Sequence, residues 1–500
     1  MKSILRLLVV SLILNPVGFA APLGTPLPRS TPEAEGISSA GISALVDELE
    51  AKAYGVHSIM IVRHGHVVAE GWWGPYTAEE PHMLFSLSKS FTSTAIGMLQ
   101  AEGKISINDF VLKSFPEDAP ANPSDNLKAM RIRDLLKMSS GQEKADVDRI
   151  NVRAPDKTGI KQFLAAPVLQ KPGTLFYYNS PGTFMCSAII QKVTGQTVRD
   201  YLTPRLFEPL GIPTPDWDLT PQGINEGSSG LHLTTEQIAK FGQLCLQRGE
   251  WNGRRLVPAA WIDEATSRQT SNGSDPDGDW DQGYGYQFWR CVPGFYRGDG
   301  AHGQFCIVMP QYDTVVAINS GTPDMQGVMK TVWRRLIPEL RPASIPADEA
   351  ALAKLKSKLT SLVQPSIAGA NTNATSALVT GKSFHFAENT LNLESLSTNF
   401  GADTAKFVLK VDGKEYPLSA TAGVWTKGET YPAVEEKKPA PAATTGAWTA
   451  DDTYTLVVSE YLNAFKATYT LHFQNDQLTL ERRVNTGNAA KEPVILTGKP

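Results

Sequence analysis

Apolar positions along this 500-residue chain change their period several times. In ISALVDELEAKA (Ile42 to Ala53) they recur three and four apart, which predicts an amphipathic helix. SIMIVRHGHVVAEGWW (Ser58 to Trp73) reads as two strands around a turn at Gly65. From HMLFSLSKSFTSTAIGML (His82 to Leu99) the helical period returns and runs to Gly103, a suitable residue just past a helix end. MRIRDLLKMSSG (Met130 to Gly141) predicts another helix with a glycine stop. GTFMCSAIIQKVTG, TTEQIAKFGQLCLQRG and PAAWIDEATS carry the same pattern. Strand signals come back at GQFCIVMP and DTVVAINSG (Gly303 to Pro310, Asp313 to Gly321), before a closing helix in VMKTVWRRLIPEL. Strands at both ends with helices between them predict an α+β domain whose sheet pairs elements distant in sequence.

The pattern changes again further on. A Pro/Ala-rich helix lies between Pro342 and Pro365, followed by the polar linker SIAGANTNATS. Beyond it, FHFAENTLNLESLSTNF, AKFVLKVDGKEYPLSA, TYTLVVSEYL and KATYTLHFQNDQLTLERR alternate with period two and turn at Asp-Gly and Asn-Asp. These segments predict a second, all-β domain. The expected division is a leader at 1–21, the α+β domain at 22–343, a helix and linker at 344–376 and the β domain at 377–500. AVEEKKPAPAATTG within the β domain reads as a low-complexity loop.

Composition narrows the functional classes. The net charge of -4 is small for this length and gives no electrostatic case for nucleic acid or an anionic membrane surface. MKSILRLLVVSLILNPVGFAAP, with Lys2 and Arg6 ahead of a short apolar run, Pro16 and small residues, reads as a secretory signal cut after Ala20 or Ala21. The expected location is periplasmic or secreted, with no membrane anchor after cleavage. The cysteines, Cys186, Cys245, Cys291 and Cys306, fit no zinc or redox spacing. Cys186 and Cys245 sit in apolar helical runs, where buried free thiols are expected. His64 and His66 read as exposed turn residues rather than ligands, so neither a metal nor a cofactor is expected.

Three short stretches carry candidate chemistry. In Ser86-Leu87-Ser88-Lys89 a hydroxyl and an amine three residues apart fall on one helix face. Helix-start N–H groups there favour a developing oxyanion, and a weak hydroxyl nucleophile needs an adjacent base. Ser88 and Ser90 face away and read as helix-start residues. In KPGTLFYYNSPGTF (Lys171 to Phe184) a Pro-Gly turn leads into aromatic residues, then Tyr178-Asn179-Ser180 and a helix. In RGDGAHGQFCIVMP (Arg297 to Pro310) glycines lead into an apolar strand whose edge N–H groups can meet a substrate carbonyl. G-x-S-x-G is absent, which disfavours an α/β-hydrolase.

In this order the three stretches resemble the serine β-lactamase and penicillin-binding superfamily, in particular its class C-like branch, with family VIII carboxylesterases, D-amino-acid peptidases and nylon-oligomer hydrolases. The resemblance spans roughly residues 30 to 340 and also takes in LLKMSSG, SSGLHLTTEQIAKFGQL and LFEPLGI. It implies a β-lactamase/transpeptidase-like fold, with an antiparallel sheet flanked by helices and a helical subdomain. It also implies a serine hydrolase that acts through an acyl-enzyme on a small ester, amide or peptide. Ser86 would attack, and Tyr178 as phenolate or Lys89 would take its proton, with the Lys89 cation lowering the phenol. The N–H groups of Ser86 and Ala301 would form the oxyanion hole. Gly300, Ser180, Asp299 and His302 would border the substrate. The chain departs from the family's pattern twice: Ser180 stands where Y-x-N has Asn, and Gly298 where the strand box opens with Lys or His. An alternative register, Tyr177-Tyr178-Asn179, restores Y-x-N, but the P-G-x-x-F lead favours Tyr178. The missing cation and the added Asp299 point to neutral esters or amides over anionic β-lactams. The alternatives are a penicillin-binding DD-peptidase or β-lactamase, and a non-catalytic cell-wall binding protein.

Overall fold

The computed structural model describes residues 24–155, 158–431, 439–485 and 492–500; the expected leader, 1–21, lies outside them. Helix α1 (Ser39–Ala51) precedes the hairpin of β1 (Val56–Arg63) and β2 (His66–Trp72). Helices α2 (Ser88–Ala101), α3 (Ser180–Thr194) and α4 (Thr235–Leu246) follow, with shorter helical turns between them. Then come β3 (Trp289–Arg290), β4 (Tyr296–Gly300), β5 (Gln304–Met309), β6 (Thr314–Ser320), α5 (Met325–Leu336) and α6 (Glu349–Thr360). The strands form one antiparallel sheet in the order β2-β1-β6-β5-β4-β3, so the N-terminal hairpin pairs with a strand some 250 residues later, as its apolar run requires.

Both faces of this sheet are covered. Met60 and Val62 of β1, with Val308, Val315 and Ala317, pack with α2, α3 and α4 through Phe91, Ile189 and Phe241. The alternate residues Ile59, Ile61, Ile307, Val316 and Ile318 pack on α1 and α5 through Leu45, Leu49 and Val332. Because successive strand side chains point to opposite faces, continuous apolar runs such as Ser58–Val62 suit a sheet buried on both sides. One expected helix is much shorter than the pattern implied. Within Met130–Gly141 only Ile132–Leu136 is α-helical, because Met138 adopts a left-handed backbone (φ 58°) and the chain then turns through Gly141.

The β domain comprises β7 (Ser383–Phe386), β8 (Leu393–Phe400), β9 (Ala405–Val411), β10 (Lys414–Ala420), β11 (Thr426–Thr430), β12 (Ala440–Ala450), β13 (Thr453–Ser459), β14 (Lys466–Gln474), β15 (Gln477–Val484) and β16 (Val494–Lys499). They form a single antiparallel sheet in the order β10-β9-β8-β7-β16-β15-β14-β13-β12-β11. Its end strands, β10 and β11, follow one another through the turn bridged at Thr421–Val424, giving a barrel-like shell. Alternate residues such as Ala467, Tyr469, Leu471 and Phe473 fill it. Asp412-Gly413 and Asn475-Asp476 have positive φ at both positions, as tight hairpin turns demand. The segment expected to be a low-complexity loop differs: Ala440–Ala450 is an eleven-residue strand, since Ala, Thr and Trp pair in register with β13, while residues 432–438 lie outside the described set. The β domain rests on the first domain through Met83 N–H to Leu462 O (2.8 Å), Asn485 Nδ2 to Gly321 O (2.8 Å) and a Tyr76–Ser459 hydroxyl pair (3.0 Å). No described helix is long and apolar enough to cross a membrane.

Candidate active site

Ser86 lies in a single 3-10 turn, Phe85–Leu87, that feeds directly into α2. The helix therefore begins two residues later than the sequence pattern suggests. Helix α2 is buried from Ser88 to Leu99, which fixes its head rigidly against the sheet. Ser88 and Ser90 do more than start it. The Ser88 hydroxyl accepts from Leu231 N–H (3.2 Å), and the Ser90 hydroxyl donates to Gln287 O (2.8 Å), so both tie the helix to distant loops.

One helical step places Lys89 Nζ 2.9 Å from Ser86 Oγ and 2.8 Å from the carbonyl of Ser228. Ser86 keeps some contact with solvent, whereas Lys89 is buried. Tyr178 completes the group: its ring centroid is 5.0 Å from Lys89 Nζ, and its hydroxyl bonds with Ser86. The ring stacks on Trp289 (5.5 Å, 19°) and stands edge-on to Tyr284 (6.3 Å), in an aromatic box. Its register is fixed by its neighbours. Tyr177 turns towards Lys144. Asn179 is buried, capping α3 by accepting from Gly182 N–H (2.9 Å) and donating to Ser140 Oγ and Gln142 Oε1 (3.0 Å each). The Tyr177-Tyr178-Asn179 register would leave that cap unfilled. Ser180 is the first residue of α3 and partly exposed.

Burial sets the proton affinities here, and it reverses one expectation. Desolvation lowers the Lys89 ammonium to about 7, against the opposing pull of Asp299 and Glu226. It raises the Tyr178 phenol, reinforced by Asp299 and only partly offset by the bond with Ser86. The Lys89 cation therefore does not pull the phenol down. Near neutral pH the buried amine is therefore closer to its uncharged form than the phenol is to its anion.

The strand box lies alongside. Strand β3 pairs only with Tyr296 and Arg297, so from Gly298 onward β4 has no ladder partner on that side among the described residues. Gly298 is where the family's cation was expected. A Cβ there would sit 2.4 Å from Leu87 Cδ1 and 2.7 Å from Ser90 Oγ, so the helix head fills the place of any side chain. Gly300 lies under the backbone just before the nucleophile, where a Cβ would come 2.0 Å from Leu84 O. On the other face of β4, Arg297 and Asp299 are two apart and form a fully buried ion pair (2.8 Å). Arg297 also donates to Asp279 O (3.0 Å) and lies over the Trp280 ring (4.7 Å). Arg297 thus answers the negative charge that Asp299 brings. Ala301 is exposed at the end of β4, and His302 (φ 66°) follows it, partly buried. Burial lowers the His302 imidazolium, and its ring stands edge-on to Phe85 and Phe465.

Two contributors were missed by sequence reading. The Ser228 carbonyl belongs to SSGLHL, quoted for its resemblance but given no role, and a backbone acceptor has no residue signature. Glu226 acts on Lys89 through space and is itself held by Arg153. His64 and His66 share Glu35 (2.9 and 3.6 Å), but no described group of three or more His, Cys, Asp and Glu is placed to hold a metal. All four cysteines are buried free thiols.

Comparison with known proteins identifies the family of the first domain. Residues 42–337 match the model of the family described as Beta-lactamase. The 6-aminohexanoate-dimer hydrolase of Paenarthrobacter ureafaciens is 26% identical over 296 residues, covering 53% of this chain and 73% of that protein. Penicillin-binding protein 4 of Amycolatopsis lactamdurans is 25% identical over 299 residues, covering 52% and 77%. A Bacillus anthracis protein of known structure, provisionally named 6-aminohexanoate-dimer hydrolase, superimposes with a TM-score of 0.53 at 20% identity, covering 62% of this chain and 86% of that one. The β-lactamase/transpeptidase-like fold implied by the three boxes is the fold found, with a separate barrel-like domain appended. With the matched region spanning well over half of its length, the chain belongs to the β-lactamase family.

Proposed function

We propose that this protein is a serine hydrolase that cleaves an ester or amide through an acyl-enzyme on Ser86. The observation that carries this reading is the buried Lys89 amine, 2.9 Å from the Ser86 hydroxyl and lowered to about 7. Near neutral pH its free base and its ammonium are comparably populated, which suits a general base. In this reading the Lys89 amine takes the Ser86 proton as Oγ attacks the carbonyl carbon. The carbonyl oxygen gains the charge and is met by the N–H groups of Ser86 and Ala301. Tyr178 keeps its phenolic proton at rest. It passes that proton to the leaving group as the tetrahedral intermediate collapses, and regains one from the Lys89 ammonium. Water then attacks the acyl carbon and gives a proton to the Lys89 amine, and the Tyr178 phenol protonates Ser86 Oγ as the acyl bond to it breaks and the acid leaves.

Charge around the strand box supports a neutral substrate. Gly298 leaves no room for a cation, and the Arg297 charge is spent on Asp299. With the expected leader at 1–21, the reaction would take place in the periplasm or outside the cell. The test pairs p-nitrophenyl butyrate turnover with intact-mass analysis after benzylpenicillin. Steady ester hydrolysis and no lasting penicillin adduct are expected. A persistent adduct without ester turnover would move the protein to the penicillin-binding DD-peptidases. Absence of both, across a panel of esters, amides and D-peptides, would leave a non-catalytic binding protein.

A further inference from the structure

Three rings from three distant parts of the chain meet edge-on beside Ser86. Phe85 and His302 lie 5.2 Å apart between centroids, Phe85 and Phe465 5.8 Å, and His302 and Phe465 5.8 Å. Phe85 immediately precedes the nucleophile. His302 immediately follows Ala301. Both have left-handed backbones, φ 47° and 66°, a conformation that L-residues adopt at a cost and keep only where their surroundings hold them. The two peptide segments that would supply the oxyanion N–H groups are thus each strained and each flanked by one ring. The third ring, Phe465, belongs to the β domain.

The loop carrying Phe465, between β13 and β14, is pinned to both domains. Leu462 O accepts from Met83 N–H, at the approach to Ser86. Asn485 Nδ2 donates both to Ala464 O (2.9 Å) and to Gly321 O of the first domain (2.8 Å). Within the loop, Asn463 Oδ1 accepts from Phe465 N–H (2.7 Å). The same loop, with Met83, Phe85, Ser229 and His232, lines a cavity of about 400 Å³ between the domains. Phe85, which directly precedes Ser86, and Ser229, which directly follows the Lys89 acceptor Ser228, are shared between this cavity's lining and the segments that carry the site.

We infer that the β domain is part of the active site: Phe465 is a positioning residue that holds both halves of the oxyanion hole, and Leu462–Phe465 forms one wall of the substrate cleft. This rests on the serine-hydrolase reading. An edge-on aromatic contact is directional, so the ring itself, beyond its bulk, sets the orientation of Phe85 and His302.

The test compares the full-length protein with Phe465→Ala, Phe465→Leu and Phe465→Tyr on p-nitrophenyl acetate, a substrate too small to need the cleft wall. Phe465→Ala is expected to lower kcat at least tenfold with KM within threefold, and to slow inactivation by a fluorophosphonate in parallel. Phe465→Leu, which keeps apolar bulk without the ring, should lose most of the same kcat, and Phe465→Tyr should stay within threefold of wild type. Should Phe465→Ala not fold, the leucine and tyrosine variants decide alone. A folded Phe465→Leu with kcat within twofold of wild type would overturn the inference. A wild-type protein that neither turns over the ester nor takes up the probe would instead remove the hydrolase reading, and this inference with it.

Discussion

Replacing Lys89 with Met is expected to lower kcat/KM for an ester by about 10²- to 10⁴-fold, the range a positioned general base contributes. The fold should survive, because the site is buried and an apolar side chain of similar length relieves desolvation rather than adding to it. The same substitution should change the shape of the pH profile. With the ammonium lowered to about 7, the proposed mechanism makes the wild-type rate rise as pH rises through that value, because only a neutral amine would accept the Ser86 proton. Below it, each pH unit costs about tenfold. The phenol of Tyr178 is raised, so its ionisation adds no limb near neutrality. Lys89→Met should therefore be slow at every pH and lack the rising limb. Initial rates from pH 5 to 9 check both statements. A wild-type limb that persists in the variant would assign the titration to another group.

Replacing Arg297 with Met is expected to destabilise the first domain by about 3–5 kcal/mol, since it leaves a buried carboxylate without its partner. Asp299 is 6% exposed and Arg297 fully buried, so water cannot take over the lost contact. The double variant Arg297→Met, Asp299→Asn removes the charge along with its partner and should recover much of the loss. Urea denaturation of the two variants and the wild type measures this directly. If the single variant cost less than 1 kcal/mol, the pair would not be holding the strand box.

Much of this architecture was legible because period and chemistry agreed. The hairpin at Gly65, the turns at Asp412-Gly413 and Asn475-Asp476, and the alternation in β14 each announce themselves locally. Ser86, Lys89 and Tyr178 converge because two lie one helical turn apart and the third follows a recognisable lead. What sequence could not show was set by tertiary surroundings. A Met at position 138 with positive φ ends a helix that its apolar spacing favours. The APAATTG run at the head of Ala440–Ala450 suggests a loop until β13 offers the segment a partner. The proton affinities of Lys89 and Tyr178 depend on burial, which no spacing encodes, and so the phenol is raised where the sequence reading expected it lowered. Phe465 lies 379 positions from Ser86, in the short stretch between two expected strands, and carries no motif of its own.

The proposed reaction requires that one hydroxyl, at position 86, be made nucleophilic by the amine beside it. Treatment with a fluorophosphonate probe, followed by intact-mass analysis and peptide mapping, tests it most directly. A single phosphonyl adduct is expected on the peptide carrying Ser86, formed faster as pH rises through about 7 and absent from Ser86→Ala. A folded wild-type protein that takes up no probe, or an adduct on a different residue that persists in Ser86→Ala, would contradict it.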